Sequence, residues 1–149
     1  MAGSYILLIK LPEERTITIG SLKALHFLRG YYAYVGSAMS GFKTRISRHL
    51  KSNKKLHWHI DYLLDKASIT GIICSETTAR AECIIAQALS RQFDSVPGFG
   101  CSDCRCHSHL LFSANENQIK STIMAILKSQ DDRQALNKGG KDEPIPSGG

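Results

Sequence analysis

Two hydrophobic periods run along this chain, and the switch between them divides it. SYILLIKL (4–11) is an apolar run of strand length, closed by Pro12-Glu13-Glu14. RTITIG (15–20) alternates β-branched with polar residues, the pattern of a half-buried strand. ALHFLRG (24–30) ends on a turn glycine and YYAYVGSA (31–38) follows, so the first 36 residues read as an antiparallel meander. From Gly41 the period lengthens. Phe42, Ile46 and Leu50 recur along one side while Arg45, Arg48 and His49 share another, which predicts an amphipathic helix with a basic face. KSNKKLHWH is a looser basic stretch, IDYLL (60–64) a short helix and SITGIICS (68–75) a buried strand. TTARAECIIAQALSRQF (77–93) is the strongest helix, with Thr77 or Thr78 as N-cap and Ile85, Ala88 and Leu89 on its apolar side. HLLFS (109–113) is a strand, and NENQIKSTIMAILK (115–128) a helix capped by Asn115. From Ser129 the apolar periodicity stops among glycines, prolines and mixed charge. A folded domain over 1–128 and a disordered tail over 129–149 are therefore expected.

Length adds that 149 residues suit one domain that can bury a core without disulfides. No apolar run approaches the roughly 18 residues of a membrane span, and Met1-Ala2-Gly3-Ser4 leads into a strand-like run rather than a signal peptide. The expectation is a cytoplasmic protein without membrane contact, its thiols reduced. Cys74, Cys83, Cys101, Cys104 and Cys106 are odd in number and three of them crowd together, which argues against a disulfide framework. The formal charge of +6 is unevenly placed. Residues 43–59 hold Lys43, Arg45, Arg48, Lys51, Lys54 and Lys55, with His49, His57 and His59 among them, and no acid. Such a surface suits a polyanion, nucleic acid first.

Gly3-Ser4-Tyr5, Tyr34-Val35-Gly36-Ser37-Ala38, the helix bearing Arg45 and His49, and the carboxylate Glu82 in the long helix together resemble the GIY-YIG nuclease superfamily. With HWHIDYLL, AEC and GFG-SDC-C-SHL in the same order, the resemblance narrows to a small prokaryotic GIY-YIG-like family of unknown function, sometimes fused to endonuclease III. It covers residues 1–113. It implies an α+β fold, a small antiparallel sheet flanked by helices, here with an extra β-hairpin inserted. It also implies a Mg²⁺- or Mn²⁺-dependent endonuclease acting on DNA, or secondarily RNA, in repair, with enzymes such as endonuclease III as partners. The implied catalytic residues are Tyr5, Tyr34, Arg45, His49 and Glu82, with Glu82 holding the metal. Gly36, Ser37, Asp103, Cys104, Cys106 and His109 would support the cleft, and Lys43, Arg48, Lys51, Lys54, Lys55, His57 and His59 would bind nucleic acid.

The residue types suit phosphodiester hydrolysis, which needs an activated water and neutralised charge on the phosphoryl and leaving oxygens. One carboxylate can hold Mg²⁺ because that ion keeps much of its water, and an arginine offers phosphate a planar fork of donors. The base is open between a tyrosine and His49. Each residue also has a plainer reading: packing aromatics for the tyrosines, a surface cation for Arg45, a helix-end residue for His49, an exposed position for Glu82. Their joint occurrence in order favours the site. Two departures from the superfamily stand out. Tyr5 and Tyr34 are separated by 28 residues, which an inserted strand pair accommodates while leaving the outer strands antiparallel and adjacent. The superfamily's closing asparagine has no obvious counterpart, and Asp103, Ser108 or His109 are candidates to replace it.

In HWHID (57–61), His57, His59 and Asp61 would share a face if extended. The favoured reading puts Asp61 in the first turn of the following helix and the histidines on the basic surface. Cys101-x-x-Cys104-x-Cys106-x-x-His109 offers zinc a Cys₃His set, or a reactive thiol pair beside Arg105 and His107. One short loop must double back sharply to surround an ion. Buried cysteines and a hydrogen-bonded His109 lining the cleft are preferred. A non-catalytic nucleic-acid-binding module on the same fold, and a zinc or redox protein, are the alternatives.

Overall fold

The computed structural model describes residues 2–76, 81–101 and 104–142, with 131–142 as backbone alone. In chain order it comprises β1 (Gly3–Leu11), β2 (Arg15–Thr18), β3 (Ala24–Phe27), β4 (Gly30–Ala38), α1 (Phe42–Leu50), α2 (His59–Leu64), β5 (Ser68–Ser75), α3 (Ala81–Ser90), β6 (Asp94–Ser95), β7 (Leu110–Ser113) and α4 (Glu116–Asp142). Five strands form one antiparallel sheet in the order β5-β1-β4-β7-β6. This is the α+β fold that was expected, a sheet flanked by helices with a separate hairpin.

The near-continuous apolar run of β1 reflects burial on both of its faces. Tyr5, Leu7, Ile9 and Leu11 face one core, shared with Phe42 and Ile46 of α1, Ile60 and Leu63 of α2, and Ile17 and Phe27 of the hairpin. Ile6 and Leu8 face the other, shared with Ile85, Ala86 and Leu89 of α3 and Ile119, Ile123 and Leu127 of α4. Burying each aliphatic side chain of this size contributes roughly 2 kcal/mol. The first 36 residues do not form a simple meander. β2 and β3 pair only with each other, as a two-stranded sheet. β1 pairs directly with β4, from Gly3↔Ala38 to Leu11↔Gly30. The inserted hairpin leaves the outer strands antiparallel and adjacent, as expected, and lays Ile17, Ile19 and Phe27 on the sheet instead of extending it.

Helix α1 turns differently from its apolar pattern. Leu50 is 58% exposed and His49 is 2% exposed, so Phe42, Ile46 and His49 point inward. Seven residues after Phe42, His49 falls on the same helical face as Phe42 and Ile46, where it meets the Tyr5 hydroxyl. Lys54 Nζ donates to the carbonyls of His49 and Lys51 at 2.8 and 3.0 Å, closing the helix end. Helix α4 is capped as expected, Asn115 Oδ1 accepting from the Gln118 N–H at 3.0 Å. It then continues to Asp142, past the end expected at Lys128. Loss of apolar periodicity removes a buried face and says nothing against helical backbone, and 129–138 contains neither glycine nor proline. Thr77 and Thr78, expected to cap α3, lie outside the described residues, as do 143–149 of the expected tail. Among the described residues no helix is long and apolar enough to cross a membrane.

Candidate functional site

Pairing Tyr5 with Gly36 puts the two tyrosine motifs side by side on the middle strands. Tyr34, two residues before Gly36, shares that face, and the Tyr5 and Tyr34 rings lie 6.4 Å apart. Gly36 is required here because the Tyr5 ring lies where a Cβ would stand. Tyr5 is fully buried and its hydroxyl shares a 2.6 Å hydrogen bond with His49 Nε2. Burial pushes the Tyr5 hydroxyl up to about 12 against the opposing pull of Arg45, and pushes His49 down to about 4. Burial, followed by neighbouring Tyr5, also drives Tyr34 well above its ordinary value. At neutral pH both phenols are protonated and His49 is uncharged.

Tyr34 lines a cleft of about 580 Å³ together with Gly36, Ser37, Arg45, Glu82, Gly100, Cys104 and His109. Three expected catalytic residues, from β4, α1 and α3, thus meet across about 50 residues of sequence. Glu82 Oε2 is buried and has no hydrogen-bond partner among the described residues. Tyr5 and His49 stand behind this wall rather than in it. A second cleft, about 460 Å³, shares Tyr34, Arg45 and Gly100 with the first and adds His57, Trp58 and His59. Arg45 therefore borders both. Of the candidates to replace the closing asparagine, His109 lines the cleft, Ser108 turns its hydroxyl to Leu110, and Asp103 lies outside the described residues.

The basic segment is less free than its composition suggests. Arg48 donates through Nη1 and Nη2 to both oxygens of Asp61 at 2.9 and 2.8 Å. Asp61 sits in the first turn of α2 as expected, yet it is completely buried. Its carboxylate also accepts from the N–H groups of His57 and Trp58 at 2.9 and 2.8 Å. Burial pushes its pKa up, and Arg48 and these N–H groups outweigh that, so the net shift is downward. Arg48 and Arg45 both lie over the Trp58 ring, at 4.0 and 4.5 Å from its centroid. His59 is half-buried and accepts the Gly100 N–H on Nδ1 at 2.9 Å; burial lowers its pKa. Arg48, Lys54 and His59, expected to bind nucleic acid, are thus engaged within the fold. Lys43, Lys51, Lys55 and His57 remain exposed. Trp58, the chain's one tryptophan, escaped sequence reasoning although its place inside the basic run marked it.

The loop of cysteines forms a different set from the one expected. Cys83 Sγ, Cys104 Sγ, Cys106 Sγ and one ring nitrogen of His109 all lie within 4.8 Å of one another, an arrangement that could hold a metal ion. Cys101 is outside the set; its thiol donates to the Phe99 carbonyl at 3.4 Å, and burial pushes its pKa up to about 12. Cys83 replaces it because the first turn of α3 packs against the loop. The clue in the sequence was its place beside Glu82 in AEC. Burial and the neighbouring thiols raise the Cys83 pKa, and all five cysteines are free. A reactive, lowered-pKa thiol is not what this environment produces at Cys83 or Cys101.

An antiparallel sheet and two flanking helices that set one tyrosine, an arginine and a carboxylate around one cleft define a small α+β domain with a polar site at its sheet and helix junction. The sequence profile of a family described as "Domain of unknown function DUF123" matches residues 4–131, and the chain belongs to that family. No curated protein and no solved structure matches it.

Proposed function

We propose that this domain is a metal-dependent endonuclease of the GIY-YIG type, hydrolysing phosphodiester bonds in DNA in the setting of repair. One observation carries the proposal: Tyr34, Arg45 and Glu82 line a single cleft in which Glu82 has a buried carboxylate oxygen without a hydrogen-bond partner among the described residues. An unpaired buried acceptor costs about 1–3 kcal/mol, and more when charged, so a cation there relieves a standing penalty. Mg²⁺ or Mn²⁺ fits Glu82, since one carboxylate with water and substrate phosphate completes the shell of such an ion. When bound, the ion supplies positive charge that neutralises the phosphoryl oxygens and draws nearby hydroxyls toward ionisation.

The chain's own groups divide the remaining work. Arg45, stacked on Trp58 and bordering both clefts, presents its guanidinium to the scissile phosphate. Tyr34 orients the attacking water, and only its phenolate can take that water's proton; because burial holds the hydroxyl protonated at neutral pH, the rate rises with pH. His49, buried and uncharged, fixes the Tyr5 ring against Gly36 and so sets the sheet face on which Tyr34 stands. Lys43, Lys51 and Lys55 hold the flanking backbone. A non-catalytic nucleic-acid platform is the second reading, favoured by the two protonated phenols.

The test is incubation with Mg²⁺ and nicked, flapped, branched and abasic DNA, beside Glu82→Gln and Arg45→Ala. The endonuclease reading expects cutting by wild type and a loss of at least about 10²-fold in both variants. Equal cutting by wild type and Glu82→Gln would identify a contaminant and remove the proposal. Binding without cutting on every substrate would establish the platform instead.

A further inference from the structure

Outside the phosphodiester chemistry, a compact group of metal-binding atoms among the described residues is the set on α3 and the loop that follows β6. His109 is held in a specific tautomer. Its Nδ1 lies 3.0 Å from the Val35 carbonyl, which only accepts, so Nδ1 carries the hydrogen and Nε2 offers its lone pair. That Nε2 is 3.4 Å from Cys104 Sγ and 3.8 Å from Cys83 Sγ. A metal-ligating histidine ordinarily donates its other nitrogen to a carbonyl or carboxylate in this way.

The spacing identifies the size of the guest. With zinc–sulfur bonds of about 2.3 Å and zinc–nitrogen bonds of about 2.0–2.1 Å, a tetrahedral ion separates sulfur from nitrogen by about 3.6 Å and sulfur from sulfur by about 3.8 Å. The two observed sulfur–nitrogen distances bracket the first value. A multi-iron cluster would hold its thiolates further apart. A disulfide would use two of the three sulfurs and leave the oriented His109 nitrogen without a role.

We propose that Cys83, Cys104, Cys106 and His109 bind one zinc ion in a closed, structural site that fastens the loop 98–109 to helix α3. Zinc accepts a Cys₃His set, and four protein ligands leave no position for substrate. The ligands come from two elements, which answers the difficulty of wrapping one short loop around an ion. The loop needs such a fastening: its described residues form no helix or strand, and they are tied by Gly98 N–H to the His107 carbonyl and His109 N–H to the Phe99 carbonyl. Cys83 adjoins Glu82, while Cys104 and His109 line the cleft with it. The ion would therefore fix the wall that carries the carboxylate.

Elemental analysis of the purified full chain should find one equivalent of zinc, retained in Cys74→Ser and Cys101→Ser and lost in Cys83→Ser. Cobalt exchanged into the wild type should give the strong visible bands of a tetrahedral thiolate site. If Cys83→Ser fails to fold, Cys106→His keeps a ligand and should retain cobalt with a weakened sulfur charge-transfer band. Substoichiometric zinc, iron or copper in its place, a disulfide among these cysteines, or equal zinc in Cys101→Ser and a folded Cys83→Ser would each overturn the site. None of these readouts depends on DNA cutting, so the site and the endonuclease proposal stand or fall separately.

Discussion

Two arginines one helical turn apart have opposite fates on α1. Arg48 neutralises the buried Asp61, and Arg45 stays directed to the clefts. Replacing Arg48 with Met leaves that carboxylate charged and half its partners gone, and should cost about 3–5 kcal/mol by urea denaturation. His49 makes stability depend on pH. Its pKa in the fold, about 4, lies below the ordinary 6.5, so the unfolded chain takes the proton first. Stability is unaffected by this group above about pH 6.5, falls as pH drops from there to about 4, and levels off below; the full change is about 3 kcal/mol. Melting curves of His49→Gln should lose most of that slope. Sequence placed Tyr34, Arg45 and Glu82 correctly in one cleft because a motif needs only residue type and order. It did not show that Arg48 faces Asp61 or that His49 faces Tyr5, contacts that only the fold brings together.

At the scale of elements, the hairpin β2–β3 has to be understood through what it covers. Phe27 packs edge-on against Tyr32 and Phe99, with ring centroids 5.9 and 6.4 Å apart, and Phe99 in turn lies 6.2 Å from Tyr34. Phe27→Ala should cost about 3–5 kcal/mol in chemical denaturation followed by circular dichroism. Removing Phe27 also loosens the support behind the cleft residue Tyr34. The strands and helices themselves were largely visible, since their hydrophobic periods are set by local burial. Partnership was not. Nothing local tells β2 and β3 to leave the main sheet, and two-residue β6 is too short to show a period.

For the molecule as a whole, exposed Lys43, Lys51 and Lys55 predict a salt-dependent grip on nucleic acid. Each phosphate contact contributes about −0.9 to the slope of log affinity against log salt, so Lys51→Ala or Lys55→Ala should shallow that slope by about one unit. Fluorescence anisotropy at several salt concentrations measures it. Measured without divalent cations, Glu82→Gln should leave the slope unchanged, because it removes none of these lysines. The overall charge pointed to this surface, and the fold narrows it because Arg48, Lys54 and His59 are engaged by Asp61, the end of α1 and Gly100.

The sheet order carries a consequence for synthesis on the ribosome. A nascent chain that has emerged to Ser75 already holds β1, β4 and β5 and can pair them. The side chains that cover Ile6, Leu8 and Val35 belong to α3 and α4, which have yet to appear. Until then half of the sheet is bare apolar surface, a template for sticking to other chains. Ile85→Ala, which strips a fully buried side chain from α3, should therefore accumulate in inclusion bodies as well as lose about 2–5 kcal/mol of stability, the first read by the soluble fraction on expression and the second by denaturation of the refolded protein.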